Sequence, residues 1–349
     1  MSTSSRKEFS DRSLMLLAIA EAEQGLGLTS PNPPVGAVIW DGKSTVLGKG
    51  WHQKAGDAHA EIEALSHARE TFGDDRIRGS ILFVTMEPCS THGKTPPCVE
   101  AIIEAGISRV AIGCLDPNPA HAGAAVSILK NAGIEVATGI CEEKAKQLIR
   151  FFARHITTGL PYVIAKSAVT LDGRTTLPEG EGRWISSEAS REDVQSLRRQ
   201  VDAVLIGGET MRVDNPSLTL RGPHSAGREL PPLRVVLTGH PEQLPESHRL
   251  FSDQFVDRTV IIKGNSLADA LTDLGGRGVT SVLLESGGRL FTEGIFSDLI
   301  QEVVLYIAPL LGGASKRLMP DTEEELLARL EHVSVEKIGC DIKVSGILE

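Results

Sequence analysis

His59-Ala60-Glu61, Glu87-Pro88-Cys89 and Cys98 supply one imidazole, two thiolates and a carboxylate, the side chains from which a catalytic zinc site is built. One neutral imidazole and two thiolates fill three positions of a tetrahedral zinc. The fourth stays open for water, and that open position separates a catalytic zinc from a closed structural one. A metal so placed pulls its water toward hydroxide. Glu61, two residues after the histidine, can move protons without binding metal. Taken singly, these residues also read as a buried histidine, a surface glutamate and two core cysteines. Together, with Pro88 before one cysteine and Pro96-Pro97 before the other, they favour zinc. A closed site lacks an evident fourth ligand, since His92 falls in the intervening loop.

A histidine and glutamate one residue apart, followed by Pro-Cys, is the layout of zinc-dependent nucleobase deaminases. In these, water attacks an amino-bearing ring carbon and ammonia leaves. The commonest version places two residues between the cysteines, whereas here eight intervene, Ser90 to Pro97. The insert must loop out and return Cys98 to the metal. Pro96-Pro97 suits the first turn of a helix, and a thiolate at a helix start gains from the helix dipole. His92, Gly93 and Lys94 are placed at the loop tip by the pocket mouth, where a cation could meet a phosphate or a polar ring edge.

His59-Ala60-Glu61, Met86-Glu87-Pro88-Cys89-Ser90, Gly93-Lys94-Thr95-Pro96-Pro97-Cys98 and Asp116-Pro117-Asn118-Pro119 resemble the bifunctional riboflavin-biosynthesis deaminase/reductases, the RibD family. Pro31-Asn32-Pro33-Pro34-Val35-Gly36 and Gly50-Trp51-His52 match the same family. So do Lys166, Leu171-Asp172-Gly173-Arg174, Trp184-Ile185, Asp214-Asn215-Pro216 and Glu285-Ser286-Gly287-Gly288 in the second half. The resemblance covers nearly the whole chain. The long cysteine insert is its most specific part; the second-half motifs convince as an ordered set.

The resemblance implies zinc on His59, Cys89 and Cys98, with Glu61 catalytic. It puts Asn32, His52 and Lys94 on the base to be deaminated, and Lys166, Gly182, Arg198, Leu218, Arg221 and Glu285 on the substrate of the reductase half. Of these, Arg198 and Arg221 are expected on the ribose phosphate, a role guanidinium forks suit, although both also read as ordinary surface charges. Ala168, Trp184, Thr210, Asp214, Gly287 and Gly288 are expected to hold NADPH. The implied partners are a phosphorylated pyrimidine ribosyl substrate and NADPH, in a homo-oligomer. Two residues depart from many relatives: Thr91, where histidine is common, and Ser286, where glycine is. Three other readings stand beside this one: a nucleoside or tRNA deaminase with an accessory domain, a protein with one active half, and a zinc-stabilised scaffold.

Composition narrows the field. A net charge of −10 with no long basic run argues against a nucleic-acid surface. No apolar stretch is long enough for a membrane span, and the first residues lack the apolar core of a signal peptide. Cys114, Cys141 and Cys340 read as thiols, not a disulfide framework. The expected location is cytoplasmic.

The elements that must position these residues alternate. A chain of 349 residues suggests two domains at roughly 100–200 residues each. In the first half, helices are expected over 11–23, with Ser10 as N-cap, and over 59–71, 97–105 and 124–132. Strands are expected over 35–40 and 45–50, about the Asp41-Gly42 turn, and over 81–85, 110–113 and 134–138. This alternation predicts a three-layer α/β/α sheet, cytidine-deaminase-like by the resemblance. A single helix over 142–158 is expected to join the halves, and Gly159-Leu160-Pro161 sets the boundary: a zinc-dependent pyrimidine deaminase domain over 1–159 and an NADPH-dependent reductase domain over 160–349. The second domain restarts with strand 162–167, followed by helix 190–200, strands 203–207, 233–237, 259–262, 281–285 and 302–307, and helices 268–274 and 289–296. It is α/β, and dihydrofolate-reductase-like by resemblance alone. A Gly-x-Gly-x-x-Gly fingerprint after a strand is missing.

Overall fold

The computed structural model describes residues 9–91, 96–182, 184–228, 230–320 and 327–349. The chain forms two compact units, Met1–Thr158 and Gly159–Glu349. Among the described residues no helix is long and apolar enough to cross a membrane.

In the first unit α1 (Asp11–Glu23) opens on a capping box: Ser13 N donates to Ser10 Oγ at 3.2 Å and Ser10 N to Ser13 Oγ at 2.9 Å. Next come β1 (Gly36–Trp40) and β2 (Val46–Trp51), whose turn is held by Asp41 Oδ1 accepting from the backbone of Lys43, Ser44 and Thr45. Then come α2 (Ala60–Phe72), α3 (Asp74–Ile77), β3 (Ile81–Met86), α4 (Cys98–Glu104), β4 (Arg109–Cys114), α5 (Ala124–Asn131), β5 (Glu135–Thr138), α6 (Glu142–Leu148) and α7 (Arg150–Thr158). The described strands order as β2-β1-β3-β4-β5, antiparallel across β2-β1-β3 and parallel from β3 to β5.

Strand side chains alternate between faces, and two cores result. Ala37, Ile39, Leu82, Val84, Val110 and Ile112 pack with α2, α4 and α5. Val38, Phe83 and Ala111 pack with α1 and α6 on the other face. The three-layer α/β/α expectation is met. The single helix over 142–158 is not: the chain breaks at Ile149, which lies at φ −95° and ψ 10°. Leu148 and Ile149 are both buried in one core cluster at this break, and the chain resumes as a second helix at Arg150.

The second unit runs β6 (Tyr162–Thr170), α8 (Glu188–Gln200), β7 (Ala203–Gly207), α9 (Gly208–Asp214), β8 (Leu233–Thr238), α10 (Arg249–Ser252), β9 (Thr259–Lys263), α11 (Leu267–Gly276), β10 (Ser281–Leu284), α12 (Gly288–Phe296), β11 (Glu302–Ala308), β12 (Leu330–Ile338) and β13 (Asp341–Leu348). The described strands order as β12-β13-β11-β6-β10-β7-β8-β9. From β11 to β9 every pairing is parallel, and β13-β12 adds an antiparallel hairpin at one edge. Three pieces are absent from the sequence expectation: α9, α10 and this hairpin. In β12 the register shifts between Glu331 and Ser334, with His332 at φ 50°, so a bulge breaks the alternation that marks a strand.

The hairpin anchors α8. Asp341 Oδ2, at the start of β13, accepts from Ser187 N at 2.7 Å and from Ser190 Oγ at 2.6 Å, fixing the start of that helix. Tyr306 Oη donates to Asp193 Oδ2 at 2.6 Å, and Lys343 Nζ reaches the same oxygen at 2.7 Å. These contacts set the height of α8, and with it Arg198.

Candidate active sites

His59 is the N-cap of α2 and Cys98 its counterpart at the first position of α4, while Cys89 lies just past the end of β3. Their ligand atoms lie within 4.8 Å of one another. His59 Nδ1 is 3.5 Å from Cys89 Sγ and 3.3 Å from Cys98 Sγ. In a tetrahedral zinc with Zn–S near 2.3 Å and Zn–N near 2.0 Å, the N···S edges come to about 3.5 Å. The three side chains therefore fit a zinc ion without rearrangement. Cys98 N donates to Cys89 Sγ at 3.2 Å, a helix-start amide that favours thiolate. A hydrogen bond from Cys98 draws Cys89 down to about 4 against its burial. The same hydrogen bond, which requires Cys98 to keep its proton, and then burial shift Cys98 upward.

Glu61, on the first turn of α2, is 3% exposed. Burial, and then the charge of Cys89, push its carboxyl up to about 7. Asn32 and His52 are brought to the same place. Asn32 Nδ2 lies 3.0 Å from His52 Nε2, and His52 Nδ1 lies 3.0 Å from the Ala58 carbonyl oxygen. An amide NH2 can only donate, so His52 accepts at Nε2 and donates from Nδ1, the neutral tautomer. Burial lowers its pKa in the same direction. The His52 ring stands edge-on to His59 with centroids 5.3 Å apart. His52 thus fixes the Asn32 amide and buttresses the candidate ligand. His92 and Lys94 lie outside the described residues.

Glu87 has a role that its motif alone does not show. It is 3% exposed, and its carboxylate accepts from the backbone of Asp116 at 3.2 Å, Gly123 at 2.9 Å and Ala125 at 3.0 Å. It therefore ties the end of β3 to the start of α5, two residues before Cys89. An ionisable residue ending a buried apolar strand was the available signal. With Pro88, Cys89, Ser90, Thr91, Asp116 and His121 it lines a recess of about 40 Å³.

In the second unit a cleft of about 900 Å³ opens at the C-terminal ends of the parallel strands, where open α/β sheets bind ligands. Lys166, Gly182, Arg198, Leu218, Arg221 and Glu285 all line it, as do Ala168, Trp184, Thr210, Asp214, Gly287 and Gly288. Arg198 and Glu285 meet fork to fork, Nε–Oε1 2.5 Å and Nη2–Oε2 2.9 Å, with side chains 9% and 11% exposed. Arg198 Nη1 also donates to the Thr219 carbonyl at 3.3 Å. Its fork is therefore engaged within the protein, whereas the exposed Arg221 guanidinium meets no hydrogen-bond or ion-pair partner among the described residues. The Lys166 ammonium likewise meets none and faces the Tyr306 ring at 5.9 Å. Burial lowers its pKa.

The cleft floor carries strain and close approach. Buried Leu218 sits at φ 52°, a left-handed conformation costly for a branched side chain. A Cβ on Gly208 would come within 2.6 Å of Thr238 Oγ1, and one on Gly287 within 3.2 Å of Thr175 Cγ2. A Cβ on Gly288, at the start of α12, would meet nothing within 4 Å, so the backbone there has open space beside it. Volume and backbone together fit a dinucleotide. Ser286 Oγ donates to the Gly287 carbonyl at 3.2 Å. Asp172 accepts from Thr170 Oγ1 and from Gly312 N and Gly313 N, joining the Leu171–Arg174 turn to the loop after β11. These bonds, Thr170's first, hold its carboxyl far below the usual range.

Residues 9–114 match the cytidine and deoxycytidylate deaminase zinc-binding region, and residues 161–344 match the RibD C-terminal domain. The riboflavin biosynthesis protein RibD of Aquifex aeolicus is 36% identical over 96% of this chain and 97% of its own. That of Escherichia coli is 37% identical over 88% and 90%. Among solved structures, Acinetobacter baumannii RibD superposes with a TM-score of 0.86 at 35% identity, covering 97% of this chain and 99% of its own. A Thermotoga maritima diaminohydroxyphosphoribosylaminopyrimidine deaminase/5-amino-6-(5-phosphoribosylamino)uracil reductase gives 0.86 at 33% identity with the same coverage.

Proposed function

We propose, for a chain that belongs to the RibD family of bifunctional riboflavin-biosynthesis deaminase/reductases, that its two reactions divide between the zinc-type site of the first unit and the cleft of the second. The first site removes the 2-amino group of 2,5-diamino-6-(ribosylamino)-4(3H)-pyrimidinone 5′-phosphate by hydrolysis. His59, Cys89 and Cys98 hold zinc, which when bound supplies the Lewis acid that activates water. Glu61 takes the proton from water and passes protons to the ring nitrogen and the departing ammonia. Asn32, held by His52, orients the base, and Lys94 contributes from the loop. The carrying observation is the match of the His59–thiol distances to zinc geometry, with Glu61 buried alongside.

The second site reduces the ribosyl group to ribityl. Ala168, Trp184, Thr210, Asp214, Gly287 and Gly288 hold NADPH, which when bound supplies the reducing equivalents. Gly182, Leu218 and Arg221 position the substrate, with Arg221 on its phosphate. Arg198, expected with Arg221 on the ribose phosphate, also contacts Glu285 and the Thr219 carbonyl. Its fork holds Glu285, and the pair with Lys166 presents a fixed polar surface to the sugar.

The test is an assay of zinc-loaded protein on the diaminopyrimidine ribosyl phosphate, with ammonia and NADPH followed separately. Both signals, in that order, are expected. In Glu61→Gln, zinc content and fold stay while ammonia release falls by roughly 10²-fold or more. Unchanged turnover in that variant would defeat the assigned proton transfer.

A further inference from the structure

Lys166 stands at the cleft wall with no carboxylate on its ammonium, although Glu285 follows the neighbouring strand β10. The Arg198 fork occupies both Glu285 oxygens, at 2.5 and 2.9 Å. Glu285, Arg198 and Asp214 are the charged groups that act on Lys166, and burial is the largest influence, lowering its pKa. What the ammonium faces is the ring of Tyr306, 5.9 Å from its centroid. That is within the range at which a ring attracts a cation.

Tyr306 is placed by the sheet and locked by its surroundings. On β11 it pairs with Ala168 of β6 and with Lys343 of β13, while Lys166 pairs with Val304. Residues two apart on a strand share a face. Lys166, Tyr306 and Lys343 therefore form one row, which Glu336 of β12, opposite Lys343, extends to the sheet edge. The Tyr306 side chain is fully buried, and Tyr306 is not among the residues that line the cleft. Its hydroxyl and Lys343 Nζ converge on one oxygen of Asp193, at 2.6 and 2.7 Å. Lys343 Nζ also lies 6.0 Å from the ring centroid. Burial, and then the bond to Asp193, push the phenol upward, so Tyr306 stays a neutral donor. A hydroxyl donating to a carboxylate leaves its ring richer in electrons, and the negative face of a ring is what attracts a cation.

We propose that Tyr306, locked by Asp193 and Lys343, is a positioning residue for the reductase half: its ring holds the Lys166 ammonium at the cleft wall and leaves the N–H donors of that ammonium to oxygens of the substrate's sugar. This rests on the reading that Lys166 meets the sugar. A carboxylate in place of the ring would pair with the ammonium and take up its donors. An aliphatic side chain would leave the buried charge without compensation. An aromatic ring attracts the charge without claiming a conventional hydrogen bond. The row also gives the edge hairpin a part in the site, since Lys343 of β13 helps to fix the ring.

The test is NADPH oxidation on the deaminated ribosyl phosphate by the full-length zinc-loaded protein, read as kcat and KM across pH. Lys166→Met should lower kcat by roughly tenfold or more, as for a lost hydrogen bond from a charged group. A wild-type rate in that variant would remove the reading of Lys166 at the sugar, and the proposal with it. Tyr306→Leu should lower kcat roughly tenfold, the size of a desolvated cation–π contact, and leave the KM for NADPH unchanged. It should also move the alkaline limb of the kcat profile to lower pH, because the charged ammonium loses its ring. Tyr306→Phe, which keeps the ring, should recover most of the rate and the wild-type limb. A Tyr306→Leu protein that binds NADPH and keeps the wild-type kcat and limb overturns the inference while leaving Lys166 in place. Equal impairment of the Phe and Leu variants overturns it too, since the hydroxyl's hold on α8 would then be the operative contact. If Tyr306→Leu fails to bind NADPH, Asp193→Ala carries the test. That change frees the ring and strips Lys343 of its carboxylate, so a partial fall in kcat with the limb moved to lower pH supports the inference. Wild-type kcat and limb in Asp193→Ala overturn it.

Discussion

At the scale of single residues, the most consequential groups are buried charges with specific partners. Burial works to raise Glu285, and Arg198 outweighs it, so the carboxyl stays below its ordinary value. Removing one partner strands the other. Arg198→Met and Glu285→Gln should each cost about 3 kcal/mol in urea unfolding, while the double variant should recover part of that loss. Additive losses would show that the two groups do not act as a pair. Arg234 is a second such group, fully buried on β8. It donates to both oxygens of Asp253, to the carbonyls of Ser217, Leu250 and Phe255, and to Thr259 Oγ1. It therefore fixes the approach to Leu218 from below. Burial would raise Asp253, but Arg234 and the Phe255 amide bring it below its ordinary value. A carboxyl depressed by folding contributes stability that is complete above the unfolded value, about 3.9. That contribution is lost as pH falls through the lower folded value. Asp253→Asn should thus be less stable at neutral pH and show a flatter loss of stability below about pH 4. An unchanged acid slope in the urea midpoint would exclude Asp253 as a source.

At the scale of elements, the candidate zinc site depends on how closely α2 lies on β2. A Cβ on Gly50 would come within 2.4 Å of Ala64 N and 2.7 Å of the Ala60 carbonyl oxygen, both helix backbone that cannot rotate away. Gly50→Ala should push out the helix that carries His59 and Glu61. The expected cost is roughly 1–3 kcal/mol in stability, together with weaker zinc retention on dialysis. Zinc retained at wild-type affinity would show that the ligands tolerate a shifted α2. This close packing also explains what the sequence made legible. The ligand set, the α/β/α layering and the strand ends that carry Cys89 and Glu285 could be read because each rests on local spacing. Gly50 could be read only as a motif neighbour of Trp51 and His52, since nothing local says that a helix crosses it. The β12–β13 hairpin escapes a reading by periodicity because its bulge interrupts the alternation, yet Asp341 on it fixes the start of α8. The Arg198–Glu285 pair joins residues 87 positions apart, and no local pattern signals it. The neutral tautomer of His52 needed the Ala58 carbonyl and the Asn32 amide in place.

At the scale of the whole molecule, the two sites are built from separate stretches of chain. His59, Cys89, Cys98, Glu61, Asn32 and His52 all belong to the unit that ends at Thr158, and every residue lining the large cleft belongs to the unit that begins at Gly159. Metal removal therefore separates them in a way that point variants do not. A chelator that strips zinc should abolish ammonia release, because the thiolates and His59 lose the ion that they and Glu61 serve. The same protein, given the deaminated ribosyl phosphate directly, should still oxidise NADPH, because the Arg198–Glu285 pair, Lys166 and the glycines that open α9 and α12 owe nothing to the metal. The decisive readout is the initial rate of NADPH loss on that second substrate, before and after chelation, with zinc content measured in the same samples. Rates within about twofold correspond to less than 0.5 kcal/mol of barrier and fit two self-sufficient sites. A parallel collapse of both activities would mean that the zinc site supports the reductase cleft, and the division of labour by chain segment would have to be abandoned.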